Sequence, residues 1–425
     1  MSGQSGEMTI LERLARHLAR PVTEADRDRA HWHLTDWAGC ALAGSRSGPA
    51  ATFLGLPDVD PSLRAFRWGA LGNILEMDDV DKRAILHCGP TIIPAALALS
   101  GPDDGHRLLD AIIRGYEATI RLGRATGPGH YALWHSTATC GPIGAAVAAG
   151  TLLGVDTPGL VRAMSLAMSQ ATGFWQTRHQ ADSVGKQLHA AHAARAGVDA
   201  ARLAAEGLTG PLAILEGEQG FFAATCPDGD PQAILADHGP GWLLHQVSFK
   251  PWPACRHAHA AIDAARLASD AFRFGPVEVI TYPDAVKFCD RPDPKTVIEA
   301  KFSIQHAVAA AIIVDELRLE DFEPEAIEDL ANLRGQVSVK AGEPYTSAYP
   351  AHYGAELRTG GQVYAVRDAW GDPENPVSEQ ALMDKALMLI ETAGIIEPED
   401  TIAFFDALRA VRRSGDLSGF LEHLP

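Results

Sequence analysis

A mainly α fold, with a large helical domain and a smaller α+β domain set into the chain, is predicted by three features of the sequence. Apolar residues recur at helical spacing through the first 270 residues, β-branched alternation begins only near Phe274, and helical periodicity resumes around residue 379. The predicted boundaries are therefore 1–270 for the first part of the helical domain, 271–378 for the α+β domain and 379–425 for a helical segment that returns to the first domain.

In chain order, the helices are predicted at ERLARHLA, HLTDWAGCALAG, TIIPAALALS, HRLLDAIIRGYEATIRLGRA, GPIGAAVAAGTLLG, LVRAMSLAMSQATG and KQLHAAHAARAGVDAARLAAEG, with glycines and prolines punctuating their ends. Alanine and glycine on so many of these segments predict close helix packing, because small side chains let helix axes approach. After Phe274, VEVITYP, QVSVK and AELRTGGQVYAVRDAW alternate as strands do, the last around a Gly-Gly hairpin signal. The helical segments FSIQHAVAAAIIVDEL and PEAIEDLANL lie among them. SEQALMDKALMLIETAG and TIAFFDALRAVRR then restore the helical period.

The totals exclude several functions. A hydrophobic content of 46% in 425 residues supplies a packed core, and a formal charge of −18 argues against nucleic acid or an anionic membrane as partner. No run of about 18 uncharged apolar residues is present, and MSGQSGEMTILERLARHLAR lacks the order of a signal peptide, so a cytoplasmic protein is expected. Six scattered cysteines without a CxxC pair predict reduced thiols rather than disulfides or a zinc ribbon. GxGxxG after a strand, GxxxxGK[ST], HExxH and GxSxG are all missing. No cofactor and no metal is expected; what remains is lysine, histidine and carboxylate chemistry.

Four clusters could carry that chemistry. EMDDVDKRAILH, residues 76–87, gathers Glu76, Asp78, Asp79 and Asp81 before a lone His87, and fits either a charged helix start or one wall of a site. In YALWHSTATCGPIGAAVAAG, His135 sits between aromatic residues and hydroxyls ahead of a helix; it fits a general base or a satisfied core histidine. VGKQLHAAHAARAG places Lys186 and His189 on one helical face, with His192 rotated partly away. Such a cationic cluster calls for an anion or an acidic partner, although a solvent-facing basic stripe would read the same. SFKPWPACRHAHAAIDAA brings Lys250, Cys255, Arg256, His257 and His259 to a helix start, a candidate anion seat. Its single His-x-His pair is too little for a metal site.

These segments, together with AKFSIQHAVAAAI, in this order and at these separations, resemble the MmgE/PrpD family from about residue 10 to about residue 410. That family includes 2-methylcitrate dehydratase, cis-aconitate decarboxylase and iminodisuccinate epimerase. The resemblance implies a helical domain built from both chain ends, an inserted α+β lid, a homodimer and a cofactor-free pocket. Carried over by position, the family's DFDD acid falls on Glu76, with Asp78 and Asp79 as its aspartate pair. The histidine of its HPG falls on His87, its second pocket histidine on His135, its K-x-L-H pair on Lys186 and His189, and the lysine of its KPYP-type segment on Lys250.

The sequence departs from the family pattern at Asn73, Val80, Asp81, Cys88, Cys255 and His306, where histidine, threonine, histidine, proline, the decarboxylases' histidine and tyrosine are usual. The substrate is expected to differ at Val80, Asp81 and Cys88. By this resemblance the chain is expected to be a lyase, a hydro-lyase in the first instance, that removes a proton next to a carboxylate of a small hydroxy-polycarboxylate. His135, Lys186, Lys250 and His306 would be catalytic. His87, Glu76, Asp79, His189, Cys255, Arg256 and His259 would bind substrate or balance charge, and Asp81, Lys82 and Arg83 would face solvent or a dimer partner. An epimerase or isomerase, a decarboxylase, and a non-catalytic carboxylate-binding protein are the alternatives.

Overall fold

The computed structural model describes residues 7–180, 183–269, 275–396 and 400–425. The described residues of 7–179, 183–247 and 379–425 form one compact unit, and Gln180 with those of 248–378 forms a second. The fold is mainly α, with a single four-stranded sheet among the described residues.

The border between the units falls at Val247/Ser248 rather than near residue 270, and the reason lies in one alanine-rich helix. His259–Ala268 resembles the helices before it, yet Ala261, Ile262 and Ala265 share a core with Val277, Val279 and Ile304 of the second unit. Helical periodicity reports a buried face without naming what covers it.

In the first unit the helices Gly105–Ala125 and Ser136–Leu153 pack at backbone distance. A Cβ on Gly115 would stand 2.8 Å from the Gly144 carbonyl oxygen, so no side chain fits there. Ser136–Leu153 is long and apolar enough to cross a membrane by composition alone; it is 89% buried, with Ile143, Ala146 and Val147 in the core. Glu24–Gly44 begins with a capping box of Thr23 and Asp26, which satisfies two otherwise orphaned backbone donors.

The second unit is built on strands β1 (Val277–Thr281), β2 (Val337–Ala341), β3 (Ala355–Thr359) and β4 (Gln362–Val366), in spatial order β2-β1-β3-β4. β1 and β2 are parallel, and the other pairs antiparallel. The strands stand where the alternation predicts them. Gly360 and Gly361, at φ 54° and 78°, make the two-residue turn between β3 and β4 that requires positive φ at both positions.

Glu117 is a heavily satisfied carboxylate of the first unit. It is fully buried and accepts from Arg121 Nε at 2.7 Å, the Leu243 N–H at 2.8 Å and His17 Nε2 at 2.9 Å, with Arg20 at 3.1 Å. Burial alone would raise its pKa, but His17, Leu243 and Arg121 outweigh that and hold it at about 2 against an ordinary 4.5. This stabilisation is present above pH 4.5 and is lost as pH falls towards 2. Glu117→Gln should cost about 3 kcal/mol near neutrality. Urea unfolding of both proteins across this range should show their stabilities converging as acid is added; a gap that does not narrow would contradict the assignment.

Candidate active-site groups

The acid-rich stretch is a loop between the helices Pro61–Asn73 and Gly89–Leu97, pinched by a β-bridge between Asp81 and Leu86. Two of its residues, Glu76 at φ 59° and Ile85 at φ 52°, occupy the left-handed region, which costs an L-residue about 1–2 kcal/mol. Surrounding bonds must hold them there.

Each of the four acids has its own set of partners. Asp79, buried, accepts from His33 Nδ1 at 2.7 Å, the Tyr116 hydroxyl at 2.6 Å and the Gly89 N–H at 2.8 Å. Asp78 accepts from Asn73 Nδ2 at 2.9 Å and lies 2.8 Å from His87 Nδ1. Asp81 accepts from the Ala84 N–H at 2.8 Å and pairs with Arg124 at 2.5 Å. Glu76 pairs with Lys186 and accepts from Gln187 Nε2 at 3.3 Å.

Two expectations change. Asp79 shapes the loop from within, and the acid that touches the site histidine is its neighbour Asp78. Asp81 and Lys82 are buried rather than solvent-facing, because Asp81 meets Arg124 inside the fold; Arg83 is exposed and reaches Gln246 at 3.2 Å.

His87 is fixed from three sides. Its backbone N–H donates to Thr137 Oγ1 at 3.0 Å, and its Nδ1 lies within reach of both Asp78 and the Asp79 carbonyl, the latter at 2.9 Å. With Nδ1 engaged, Nε2 is the nitrogen through which the ring meets anything else.

His135 is the N-cap of Ser136–Leu153. Its N–H donates to the Gly173 carbonyl at 3.0 Å, its ring lies 4.4 Å from that of Trp175, and its Nδ1 is 3.1 Å from His189 Nδ1. One of those two nitrogens must carry the proton they share. Burial drives the His135 pKa well below its usual value, and the charges of His189, Lys186 and His87 push the same way. His189 is lowered to about 4, by burial first and then by His192 and Lys186. Both imidazoles are therefore neutral near pH 7. His192 turns aside, its Nε2 at 3.3 Å from the Gln170 carbonyl.

Lys186 lies in the first turn of Gly185–Ala205. The His87–Thr137, His135–His189 and Glu76–Lys186 contacts thus tie together the N-terminal ends of Gly89–Leu97, Ser136–Leu153 and Gly185–Ala205. Three positive helix ends beside a lysine favour an anion.

The remaining expected residues belong to the second unit. Lys250 is 1% exposed. Cys255 precedes a short 3₁₀ turn, the helix itself starting at His259, and its N–H donates to the Lys301 carbonyl at 2.8 Å. The carboxylate that Arg256 meets is the protein's own Asp372, which also accepts the Ser248 hydroxyl at 2.6 Å. His257 Nδ1 bonds the Tyr282 hydroxyl at 2.8 Å and His259 Nε2 the Ala254 carbonyl at 3.1 Å, so the His-x-His pair has separate partners. His306 Nε2 donates to the Asp321 carbonyl at 2.7 Å while Nδ1 accepts from Arg334 at 3.4 Å. Both its ring nitrogens are engaged, which suits bracing this unit rather than assisting loss of hydroxide. His352, Asp368 and Glu374 could bring ligand atoms within 4.8 Å of one another, but the cation beside His352 is Arg367, at 2.7 Å.

Of the departures from the family pattern, Val80 and Cys88 are buried, Cys88 in the main core, and Asp81 is taken by Arg124. Their side chains lie inside the fold. Asn73 is different: it grips Asp78. Sequence reasoning missed His33, Tyr116 and Gln187 as partners of the acids.

A model of the MmgE/PrpD N-terminal domain matches residues 10–234, and one of the MmgE/PrpD C-terminal domain matches residues 252–408. Among curated proteins, the cis-aconitate decarboxylase of Homo sapiens is 29% identical over 299 residues, covering 63% of this chain and 59% of that protein. That of Mus musculus is 28% identical over 303 residues (66% and 61%), and one from Aspergillus terreus 24% over 296 residues (62% and 60%). The chain spans about three fifths of the length of these relatives.

The electrostatics of the imidazole pair can be tested directly. Histidine NMR titration should find His135 and His189 still neutral at pH 6, since the lowered values place their protonation, and the accompanying loss of stability, below that pH. Lys186→Met should raise both, because it removes a positive charge and leaves Glu76 unopposed. Titration of either imidazole near 6.5 in the wild type would contradict the geometry.

Proposed function

The chain belongs to the MmgE/PrpD family, and on that premise we propose that it is a lyase acting on a small polycarboxylate by proton transfer next to a carboxylate. The observation that carries this reading is the neutral His135–His189 pair, with the Lys186–Glu76 ion pair on the same helix as His189 and with His87 held at Nδ1 by Asp78. Lys186 and the helix ends bind a substrate carboxylate and stabilise the negative charge that builds on it when the adjacent carbon loses its proton. One imidazole of the pair accepts that proton. In the hydro-lyase reading, the electron pair left on carbon forms the double bond, and the departing hydroxide takes a proton from His87 and leaves as water.

The second reading is a decarboxylase, favoured by the names of the relatives. There, a proton is delivered to carbon, the bond to one carboxylate supplies the electrons for the shifted double bond, and carbon dioxide leaves. The same groups serve both outcomes with the proton moving in opposite directions.

Incubation with 2-methylcitrate, citrate and cis-aconitate in D₂O, followed by NMR, separates the readings. Loss of water with a new alkene signal supports the hydro-lyase, release of carbon dioxide the decarboxylase, and deuterium uptake without either an epimerase. A carboxylate that binds and stays unchanged would overturn the enzymatic reading. For the substrate found, Lys186→Met and His135→Ala should each lower kcat/KM by about 100-fold or more. Near-normal turnover by both would refute the assignment.

A further inference from the structure

The helix Glu379–Ala393 lies far along the chain from the acid loop, yet it places one side chain against that loop's backbone. Lys385, 7% exposed, donates from Nζ to Asp36 Oδ1 at 2.6 Å and to the Met77 carbonyl at 2.6 Å. Asp36 is itself buried in Glu24–Gly44. The two helices touch at Gly39, where a Cβ would stand 2.9 Å from the Ala386 Cα, and this close approach carries the neighbouring Lys385 to its partners.

Met77 stands between Glu76, in the left-handed region, and Asp78, the acid that meets His87. We propose that Lys385 is a positioning residue for the candidate site: its hold on the Met77 carbonyl fixes the peptide from which the carboxylates of Glu76 and Asp78 are aimed at Lys186 and His87. This rests on the reading of those four residues as site groups. A charged donor to a carbonyl is about twice as strong as a neutral one, and left-handed residues persist only where the surroundings over-determine them. The ammonium stays charged in this place, since burial pulls its pKa down but Asp36 outweighs the effect. Asp36 anchors the ammonium, and the carbonyl receives the constraint.

Removing Lys385 alone would leave Asp36 buried without its partner, so the test is the double variant Asp36→Asn/Lys385→Met, compared with wild type and with Asp36→Asn. Amide exchange by mass spectrometry should speed up by about tenfold or more in residues 74–88 of the double variant. It should stay unchanged in the Ser136–Leu153 helix, and Asp36→Asn, which removes only the anchor of the ammonium, should loosen residues 74–88 less than the double variant does. The ¹⁵N signals of His87, assigned by their loss in His87→Gln, should show Nδ1 losing its fixed proton. On the carboxylate that wild type turns over, kcat should fall with KM little changed. If wild type turns over none, the proposed function fails, while exchange and the His87 signals still decide this inference. Unchanged exchange in 74–88 with unchanged His87 signals, or loosening confined to Glu379–Ala393, would overturn it. Should the double variant not fold, Asp36→Ala/Lys385→Met, which likewise leaves no buried charge and no donor to Met77, is read in the same way.

Discussion

Asp79 is a buried carboxylate held by three donors from three places: His33 in Glu24–Gly44, Tyr116 in Gly105–Ala125 and the backbone of Gly89. A carboxylate is costly to bury unless every such bond is made, so the loop can close in essentially one way. Tyr116 remains a donor because burial, with Asp79 beside it, drives its pKa far up. Burial likewise lowers His33, against the pull of Asp79. Gly89 is required for the same closure: a Cβ there would stand 3.0 Å from Asp79 Oδ1 and displace the carboxylate. With Asp79 taken by these donors, its equally buried neighbour Asp78 is the acid that meets His87.

The electrostatics of the first unit follow from that placement. Glu76 neutralises Lys186 on one side, and Asp78 fixes the Nδ1 side of His87 on the other. Between them, His135 and His189 lie close enough that two protonated rings would repel strongly, so they share a single proton.

The fold was legible because its signals are local. The Gly360-Gly361 turn, the alternation in β1 to β4 and the apolar period of the long helices each depend on neighbouring residues. The site was legible as a set of residue types, since Lys186, His189, His135 and His87 sit in short, unusual strings. Their pairing was not. Whether Asp78 or Asp79 meets His87 depends on two rings supplied by distant helices, and whether Arg256 is open to a ligand depends on Asp372, over a hundred residues on. The border at Val247/Ser248 escaped for a related reason: an alanine-rich helix is compatible with either core.

Taken together, the buried contacts separate two kinds of change that look alike in a sequence. Val80 and Cys88 depart from the family pattern at positions whose side chains lie inside the unit, where volume and burial set what is tolerated. Asp81 departs with a compensating partner, Arg124, which absorbs its charge. Asn73 departs in the chain of contacts that ends on His87: its amide donates to Asp78 as a neutral group, where a histidine in the same place would be able to bring a proton and a charge. Of these four, Asn73 has a side chain that bonds the acid meeting His87.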